Sequence, residues 1–282
     1  MPPDYRTRFA PSPTGLLHLG HAFSALTAAA RARAAGGKFL IRMEDIDTAR
    51  CHTRFETAAF DDLRWLGLTW PEPVMRQSAR QPAYRAALER LTALGVCYPC
   101  RCTRGEIRAA LSAPHEGALP GPYPGTCRQR PMAEAAEGDA IRLDLARALA
   151  LTGPLGFTET GPLQPGHHPV DADRIAREIG DVVLARRDIG TSYHLSVVVD
   201  DAAQGITEVV RGADLFDTSG LQRIIQRLLE LAEPLYHHHR LIRDPAGKRL
   251  AKRDDARAIR RYRDEGASPA EVAAMVGLSL TG

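Results

Sequence analysis

The fold is decided by the stretch Arg8-Phe9-Ala10-Pro11-Ser12-Pro13-Thr14-Gly15-Leu16-Leu17-His18-Leu19-Gly20-His21. A short strand over residues 7–10 enters a loop rich in proline and glycine, and the alanine-rich run at 21–35 favours a helix. Residues 38–43 have the pattern of a second strand. Since a strand, a helix and a strand in this order make a βαβ unit, we predict an α/β fold built on a parallel sheet.

The start of this predicted helix is a candidate phosphate site, because its free N–H groups and the positive end of its dipole favour an anion. His18 and His21 lie on one side of the first turn and could donate hydrogen bonds to ATP phosphates. Gly20 would let a nucleotide lie close to the backbone. Taken alone, two histidines near a helix start are more often capping or solvated groups.

The rest of the chain continues the alternation of helices and strands. Apolar residues at helical spacing predict helices over residues 55–66 and 84–94. The continuous apolar run Val197-Val198-Val199 predicts a strand at 195–199 that is buried on both faces. Short strands are also predicted at residues 139–143, 155–158 and 181–185. Capping patterns predict helix starts at Ser219-x-x-Gln222 and at Ser268-Pro269-Ala270-Glu271.

The charge of the chain is small but unevenly placed. The net charge is +3, whereas the segment Arg240–Arg263 holds ten Lys or Arg and three Asp, a local balance of +7 that leaves −4 elsewhere. Such a segment suits a polyanion such as a phosphate backbone, although a solvated helical face would have the same charge. Its loop at 247–253 contains Lys248 and Lys252, and a basic loop could clamp a triphosphate and stabilise leaving pyrophosphate.

Together these motifs resemble the two signatures of the class I aminoacyl-tRNA synthetases. The histidine motif at 18–21 and the basic loop ending at Lys252 match those signatures. Longer segments resemble the glutamyl branch in particular, namely Arg8–Gly15, Arg42–Asp47, Tyr193–Leu195, Val197–Asp201 and Val210–Gly212. The resemblance runs from about residue 5 to about residue 265.

The resemblance implies a Rossmann-like parallel sheet, an inserted zinc-containing acceptor-type domain and a small C-terminal helical subdomain. We place the halves of the catalytic domain at 1–96 and 176–236 and the insertion at 97–175. The basic loop and a helical, stem-contact-like subdomain occupy 237–282.

The resemblance also implies residue roles. The catalytic and ATP-binding residues would be His18, His21 and Lys252. The glutamate-binding residues would be Arg8, Phe9, Ala10, Pro11, Ser12, Glu44, Tyr193 and Arg211. Their charges complement glutamate, since two arginines would face its carboxylates and Glu44 its ammonium group. For any one of these residues alone, a surface salt bridge would be the simpler interpretation.

Two features resemble a shortened paralogue group within the glutamyl branch. The chain ends soon after the basic loop, and Ala213 and Leu215 stand where full synthetases usually have Glu and His. That group activates glutamate with ATP and Mg²⁺ and transfers it to queuosine in the anticodon stem-loop of tRNA(Asp). The basic signature departs from the usual pattern, because Arg249-Leu250-Ala251-Lys252 lacks a serine and the first lysine is either replaced by Arg249 or displaced to Lys248.

Three other functions fit parts of the sequence. A truncated synthetase could charge the 3′ end of tRNA(Glu), and a paralogue that has lost activation could simply bind RNA. A ligase or nucleotidyltransferase that forms small-molecule adenylates would share the histidine motif but not the whole glutamate pocket. We expect a monomer.

A cysteine cluster marks the candidate insertion. Chemistry alone offers Cys97, Cys100, Cys102 and Cys127 as a four-cysteine zinc site. The resemblance implies a different set, Cys100, Cys102, Tyr123 and Cys127, around one structural Zn²⁺. The cysteines could instead pack without metal, since free cysteine is often buried. We interpret Cys51 as structural, and the His237-His238-His239 tract as part of a family segment and not as a metal site.

The sequence also bears on location. No apolar run approaches the length of a membrane span, and the first residues lack the apolar core of a signal peptide. We therefore expect a cytoplasmic protein that has no membrane partner.

Overall fold

The computed structural model of the chain describes residues 4–103, 105–107, 122–243 and 258–279. Its strands are β1 (Arg6–Phe9), β2 (Lys38–Met43), β3 (Met75–Arg76), β4 (Cys97–Cys100), β5 (Ala140–Leu143), β6 (Gly156–Glu159), β7 (Gly166–Pro169), β8 (Val183–Ala185), β9 (Glu208–Gly212) and β10 (Leu235–His239). Its α-helices are α1 (Leu19–Ala34), α2 (Thr53–Trp65), α3 (Gln81–Ala93), α4 (Leu145–Thr152), α5 (Ala172–Glu178), α6 (Tyr193–Ala203), α7 (Thr218–Leu228), α8 (Ile259–Asp264) and α9 (Pro269–Met275). Within the described ranges, no helix has the length and apolar character needed to cross a bilayer.

The N-terminal βαβ unit is confirmed. β1 and β2 pair in parallel, and β3 pairs in parallel with β2. The small side chains of Ala22, Ala25 and Ala28 are fully buried, which lets α1 pack closely against this sheet. The helix ends where predicted, because Gly36 has a φ of +62°, a left-handed conformation that glycine adopts readily.

A second sheet completes the α/β core. Its strand order is β7-β6-β10-β9, and it is parallel except for the β6–β7 pair. The two sheets adjoin at β1 and β9, since the Thr207 N–H donates to the Arg6 carbonyl at 2.9 Å. The carboxyl ends of β1 and β9 therefore lie side by side, and the predicted loop after β1 opens at this edge.

A third, antiparallel sheet of order β4-β5-β8 carries the cysteine-rich segment. The predicted strands at 139–143 and 181–185 belong to it. The predicted strand at 155–158 is also present, as β6, but it pairs with β10 in the main sheet. Part of the region assigned to the insertion is therefore joined to the catalytic core, and the domain boundaries stay a prediction.

The strand predicted at 195–199 is wrong, because these residues lie in α6. The helix is buried on most of its circumference, and its carboxylates at Asp200 and Asp201 bind arginines from other elements. A continuous apolar run is typical of either a buried strand or a buried helix. The cost of valine in a helix is only about half a kcal/mol per residue, so tertiary packing decides.

The capping box predicted at Ser219 is also wrong. Helix α7 begins one residue earlier, after Asp217, and its N-cap makes no side-chain bond to the helix. The Ser219 hydroxyl instead accepts a hydrogen bond from Arg211 at 2.8 Å. The second predicted start is confirmed, since Ser268 and Glu271 form a reciprocal capping box at α9.

Candidate active site

A cleft of about 480 Å³ opens at the carboxyl ends of β1 and β9. It brings together nine of the predicted site residues, namely Arg8, Phe9, Ala10, Ser12, His18, His21, Glu44, Tyr193 and Arg211. Pro11 is buried beside the cleft, where its carbonyl accepts from the Glu44 N–H at 3.0 Å. Lys252 lies outside the described residues.

The two histidines form the helix end of the cleft. His18 caps α1, its Nδ1 accepting from the Gly20 N–H at 3.1 Å, while His21 Nδ1 accepts from the His18 N–H at 3.1 Å. Both rings are therefore neutral, with the proton on Nε2. Capping and phosphate binding are thus compatible, because neither of these two hydrogen bonds uses the Nε2 atom. The close packing requires Gly20, where an added Cβ would lie 3.0 Å from the His18 ring.

Both ends of the basic segment adjoin this cleft. Arg240 and Ile242 line the cleft on the side that enters the segment. On the side that leaves it, Ala258 forms a β-bridge with His18, and the Ile259 N–H donates to the Leu17 carbonyl at 2.8 Å. The described residues on either side of the segment that contains Lys252 therefore lie at the histidine end of the cleft.

A buried network of charges forms the floor of the cleft. Asp201 accepts from Arg8 Nε at 2.8 Å and from Arg42 Nη1 at 2.6 Å, and Arg42 Nη2 also donates to Glu44 at 3.0 Å. Burial opposes ionisation of Asp201, but the two guanidinium groups lower its pKa to about 2. Burial raises the pKa of Glu44, against the opposing effect of both arginines. Two cations thus balance two anions, and Arg8 is not a free cation awaiting a carboxylate.

Arg211 is the exception, because its hydrogen-bond partners are neutral. Its guanidinium donates to the side chains of Gln222, Ser219 and His238 at 2.8, 2.8 and 3.0 Å, and to the Leu215 carbonyl at 3.3 Å. The side chain is only 6% exposed and faces the cleft. A buried guanidinium whose hydrogen-bond partners named above are neutral attracts an anionic ligand. The geometry therefore favours Arg211 as the partner of a substrate carboxylate.

A second, wider cleft of about 1010 Å³ continues from the first. The two share Ser12, Glu44 and Tyr193, so a molecule in one can meet a molecule in the other. Burial raises the pKa of Tyr193, which keeps its hydroxyl protonated and able to donate. The lining of the second cleft includes Arg186 and Arg187; Arg186 forms ion pairs with Asp47 and Asp188, which line the same cleft.

Comparison with known proteins identifies the group. A family profile described as "tRNA synthetases class I (E and Q), catalytic domain" matches residues 4–142 and 169–282. A Glutamyl-Q tRNA(Asp) synthetase from Rhodobacter capsulatus is 57% identical over 279 residues, which cover 96% of this chain and 99% of that protein. The chain belongs to the glutamyl-Q tRNA(Asp) synthetase family. A second member of the family, from Geobacter sulfurreducens, is 43% identical, with 91% of this chain and 78% of that protein covered.

Solved structures place the family within the class I fold. The crystal structure of a glutamate-tRNA synthetase from Elizabethkingia anophelis matches with a TM-score of 0.79 and 27% identity. The match covers 97% of this chain but only 61% of that chain. A methionyl-tRNA synthetase from Mycobacterium tuberculosis, at 11% identity and a TM-score of 0.62, has the same fold.

The cysteine cluster lies at the end of β4. The sulfurs of Cys100, Cys102 and Cys127 all lie within 4.8 Å of one another, and the Tyr123 hydroxyl is 3.4 Å from the first two. Tetrahedral zinc with Zn–S bonds near 2.3 Å needs ligand atoms roughly 3.8 Å apart, so these four groups fit the ion. Although burial opposes ionisation of Cys127, hydrogen bonds from Tyr123 and neighbouring groups lower its pKa to about 7. A thiolate is the form that binds zinc.

Cys97 lies apart from this cluster. It packs in the apolar core with Leu91 and Leu143, and burial raises its pKa to about 11. Both features disfavour the four-cysteine alternative, and the set containing Tyr123 stays a prediction. The His237-His238-His239 tract is strand β10, and its rings contact protein groups of the core.

Several site residues were not given roles by the sequence. Asp201, Arg42 and Gln222 became visible only when helices and strands were brought together. Arg42 does carry a signal, because it follows the apolar run Phe39-Leu40-Ile41 inside β2. Such a residue is buried only when it is paired, which indicates a partner elsewhere in the chain.

Proposed function

We propose that this protein activates L-glutamate with ATP and transfers the glutamyl group to queuosine in the anticodon of tRNA(Asp). The observation that carries the proposal is Arg211, a buried cation with neutral partners, in a cleft shared with His18 and His21. The relatives named for this activity cover nearly the whole chain. We propose a cytoplasmic monomer.

In the first step, an oxygen of the glutamate α-carboxylate would attack the α-phosphorus of Mg²⁺-bound ATP, and pyrophosphate would leave. The Nε2–H groups of His18 and His21 would donate to phosphate oxygens as negative charge develops. Lys252, which belongs to the basic segment, would hold the same phosphates. Arg211 would bind a substrate carboxylate, and Glu44 the ammonium group. Catalysis would come from positioning and charge stabilisation, so no protein nucleophile is required.

In the second step, a hydroxyl of the queuosine ring would attack the glutamyl carbonyl, and AMP would leave. The second cleft supports this step, since it joins the first at Tyr193 and is wide enough for a second molecule. The insertion at 97–175 and the Arg240–Arg263 segment are the surfaces that would hold the anticodon stem-loop.

We further propose one structural Zn²⁺ held by Cys100, Cys102, Tyr123 and Cys127. The cluster around these cysteines is small, since its buried members are Tyr98, Cys100, Tyr123 and Cys127. A bound ion would hold β4 to the segment around Tyr123 and Cys127 and so add folding energy. A zinc-containing insertion and a C-terminal helical subdomain are parts of this proposal.

ATP–pyrophosphate exchange with glutamate tests the activation step. We expect Arg211→Lys to lower kcat/KM for glutamate by about 30- to 100-fold, the loss of a fork-shaped contact worth roughly 2–3 kcal/mol. The KM for ATP should not change. Arg174→Lys is the matched control, since Arg174 is 47% exposed and does not line either cleft. Exchange that is insensitive to Arg211→Lys would rule out its role, and no exchange with glutamate would favour a silent RNA-binding protein.

A further inference from the structure

A chain of three buried side chains leads from the interior of the main sheet to the substrate cleft. Glu159 is at the end of β6, His238 is on β10 and Arg211 is on β9. Their side chains are 2%, 1% and 6% exposed. The glutamate-binding proposal uses only the last of them.

The carboxylate end of this chain is ionised. Glu159 Oε1 accepts from the backbone N–H groups of His238 at 2.9 Å and Gly161 at 2.5 Å, and Oε2 contacts His238 Nδ1. Burial opposes ionisation, but these hydrogen bonds lower the pKa of Glu159. The turn after β6 is shaped around the carboxylate, since a Cβ on Gly161 would lie 2.6 Å from Glu159 Oε1.

The carboxylate fixes the tautomer of His238. An ionised carboxylate can only accept, so Nδ1 must carry the proton that it donates to Glu159. Burial lowers the pKa of His238, so the ring is neutral and Nε2 is left as an acceptor. Nε2 receives the Arg211 Nε–H at 3.0 Å. The opposite tautomer would set two N–H donors against each other.

The arrangement orients Arg211 without cancelling its charge. A carboxylate in direct contact with the guanidinium would compete with a substrate carboxylate for it. The neutral ring separates Glu159 from Arg211 and still holds Nε, while Gln222 and Ser219 hold the two Nη groups. The guanidinium therefore faces the cleft in one orientation with its positive charge available.

We propose that Glu159 and His238 are positioning residues that set the orientation of Arg211 for binding a glutamate carboxylate. This inference rests on the proposed function, because it assigns Arg211 to that carboxylate. It also gives β6, from the region assigned to the insertion, a part in the glutamate site.

The test compares three variants in glutamate-dependent ATP–pyrophosphate exchange. Glu159→Gln and His238→Asn should each raise the KM for glutamate about tenfold. Each interrupts the hydrogen bonds that link Glu159 to Arg211, and a hydrogen bond to a charged group is worth roughly 1.5 kcal/mol. His238→Gln should recover about half of the loss, because its amide oxygen can reach the place of Nε2. The KM for ATP should stay within about twofold of wild type.

The matched control is Glu233→Gln. Like Glu159, Glu233 is a carboxylate with a side-chain partner, which in its case is Arg223. Glu233 differs in being 46% exposed and outside the cleft lining. We expect wild-type kinetics from this variant. In an Arg211→Lys background, Glu159→Gln should add little, because both changes act through the same contact. If Glu159 had only a structural role, Glu159→Gln would instead add its full effect in this background. It would also lower the melting temperature and raise the KM values for glutamate and ATP together.

A second measurement does not depend on activity. Nitrogen chemical shifts of the wild-type His238 ring should report a neutral ring protonated at Nδ1, and a ring protonated at Nε2 would overturn the inference. If the wild-type protein catalyses exchange with glutamate but Glu159→Gln and His238→Asn keep the wild-type KM for glutamate, only the positioning role fails. If wild type shows no exchange with glutamate, the proposed function fails and this inference fails with it.

Discussion

Replacing Asp201 with asparagine removes the carboxylate that joins Arg8 to Arg42 beneath the glutamate site. Arg8, Arg42 and Asp201 are 4%, 0% and 8% exposed at the side chain, so solvent cannot replace the lost charge. Breaking a buried ion pair by removing one partner costs about 3–5 kcal/mol. Asparagine can still accept one hydrogen bond, which favours the lower half of that range. At about 2–4 °C per kcal/mol, the melting temperature should fall by roughly 6–16 °C.

The assay is thermal unfolding of Asp201→Asn beside Asp217→Asn. Both parents make an arginine contact of similar length, 2.8 Å for Asp201 and 2.9 Å for Asp217. Asp217 is 58% exposed, so its variant should shift the melting temperature by no more than about 2 °C. Asp201→Asn should also raise the KM for glutamate, since Arg8 and Arg42 would lose their common anchor and Arg42 holds Glu44. Equal melting temperatures for the two variants would refute the assignment of a buried, charge-balanced floor.

Two further experiments test the zinc ligands and the buried histidines. Cys102→Ala should lose bound zinc and resistance to proteolysis of the insertion, whereas Cys97→Ala should retain one equivalent of zinc by metal analysis; zinc retained by Cys102→Ala would contradict the ligand set. Burial lowers the pKa of His194 and of His237 to about 4. The unfolded chain therefore binds these protons first, and the free energy of unfolding should fall as pH drops from about 6.5 toward 4. Burial raises the pKa of Asp62 to about 6, which opposes this trend for one proton, so urea titrations should show a stability that falls less steeply than the histidines alone would give. A stability that rises over this range would contradict the buried, neutral state of the histidines.

Local patterns in the sequence predict the first part of the fold well. The alanine-rich run at 21–35 and the glycine at Gly36 are local signals, and α1 follows them closely. The run Val197-Val198-Val199 is a local signal that misleads, because a helix buried on nearly all sides has the same composition as a buried strand. Its true state depends on Asp200 and Asp201 meeting arginines from distant segments, which no local pattern contains.

The candidate site shows the same contrast between features that sequence motifs predict and contacts that only the folded structure shows. Motif resemblance predicts that His18, Glu44 and Arg211 belong to one site. In the structure, all three line one cleft. It does not indicate that Arg8 is already paired or that Ser219 serves Arg211 instead of capping a helix. Those assignments depend on hydrogen-bond geometry between strands and helices that are far apart in sequence, so only the folded chain contains them.

The central claim is that this chain glutamylates queuosine in tRNA(Asp). It is tested most directly by transfer of labelled glutamate, with ATP, to purified tRNA(Asp) with and without queuosine, beside tRNA(Glu). We predict label on queuosine-containing tRNA(Asp) and none on the other two. Label on tRNA(Glu) would contradict the claim and indicate a shortened synthetase that charges a 3′ end.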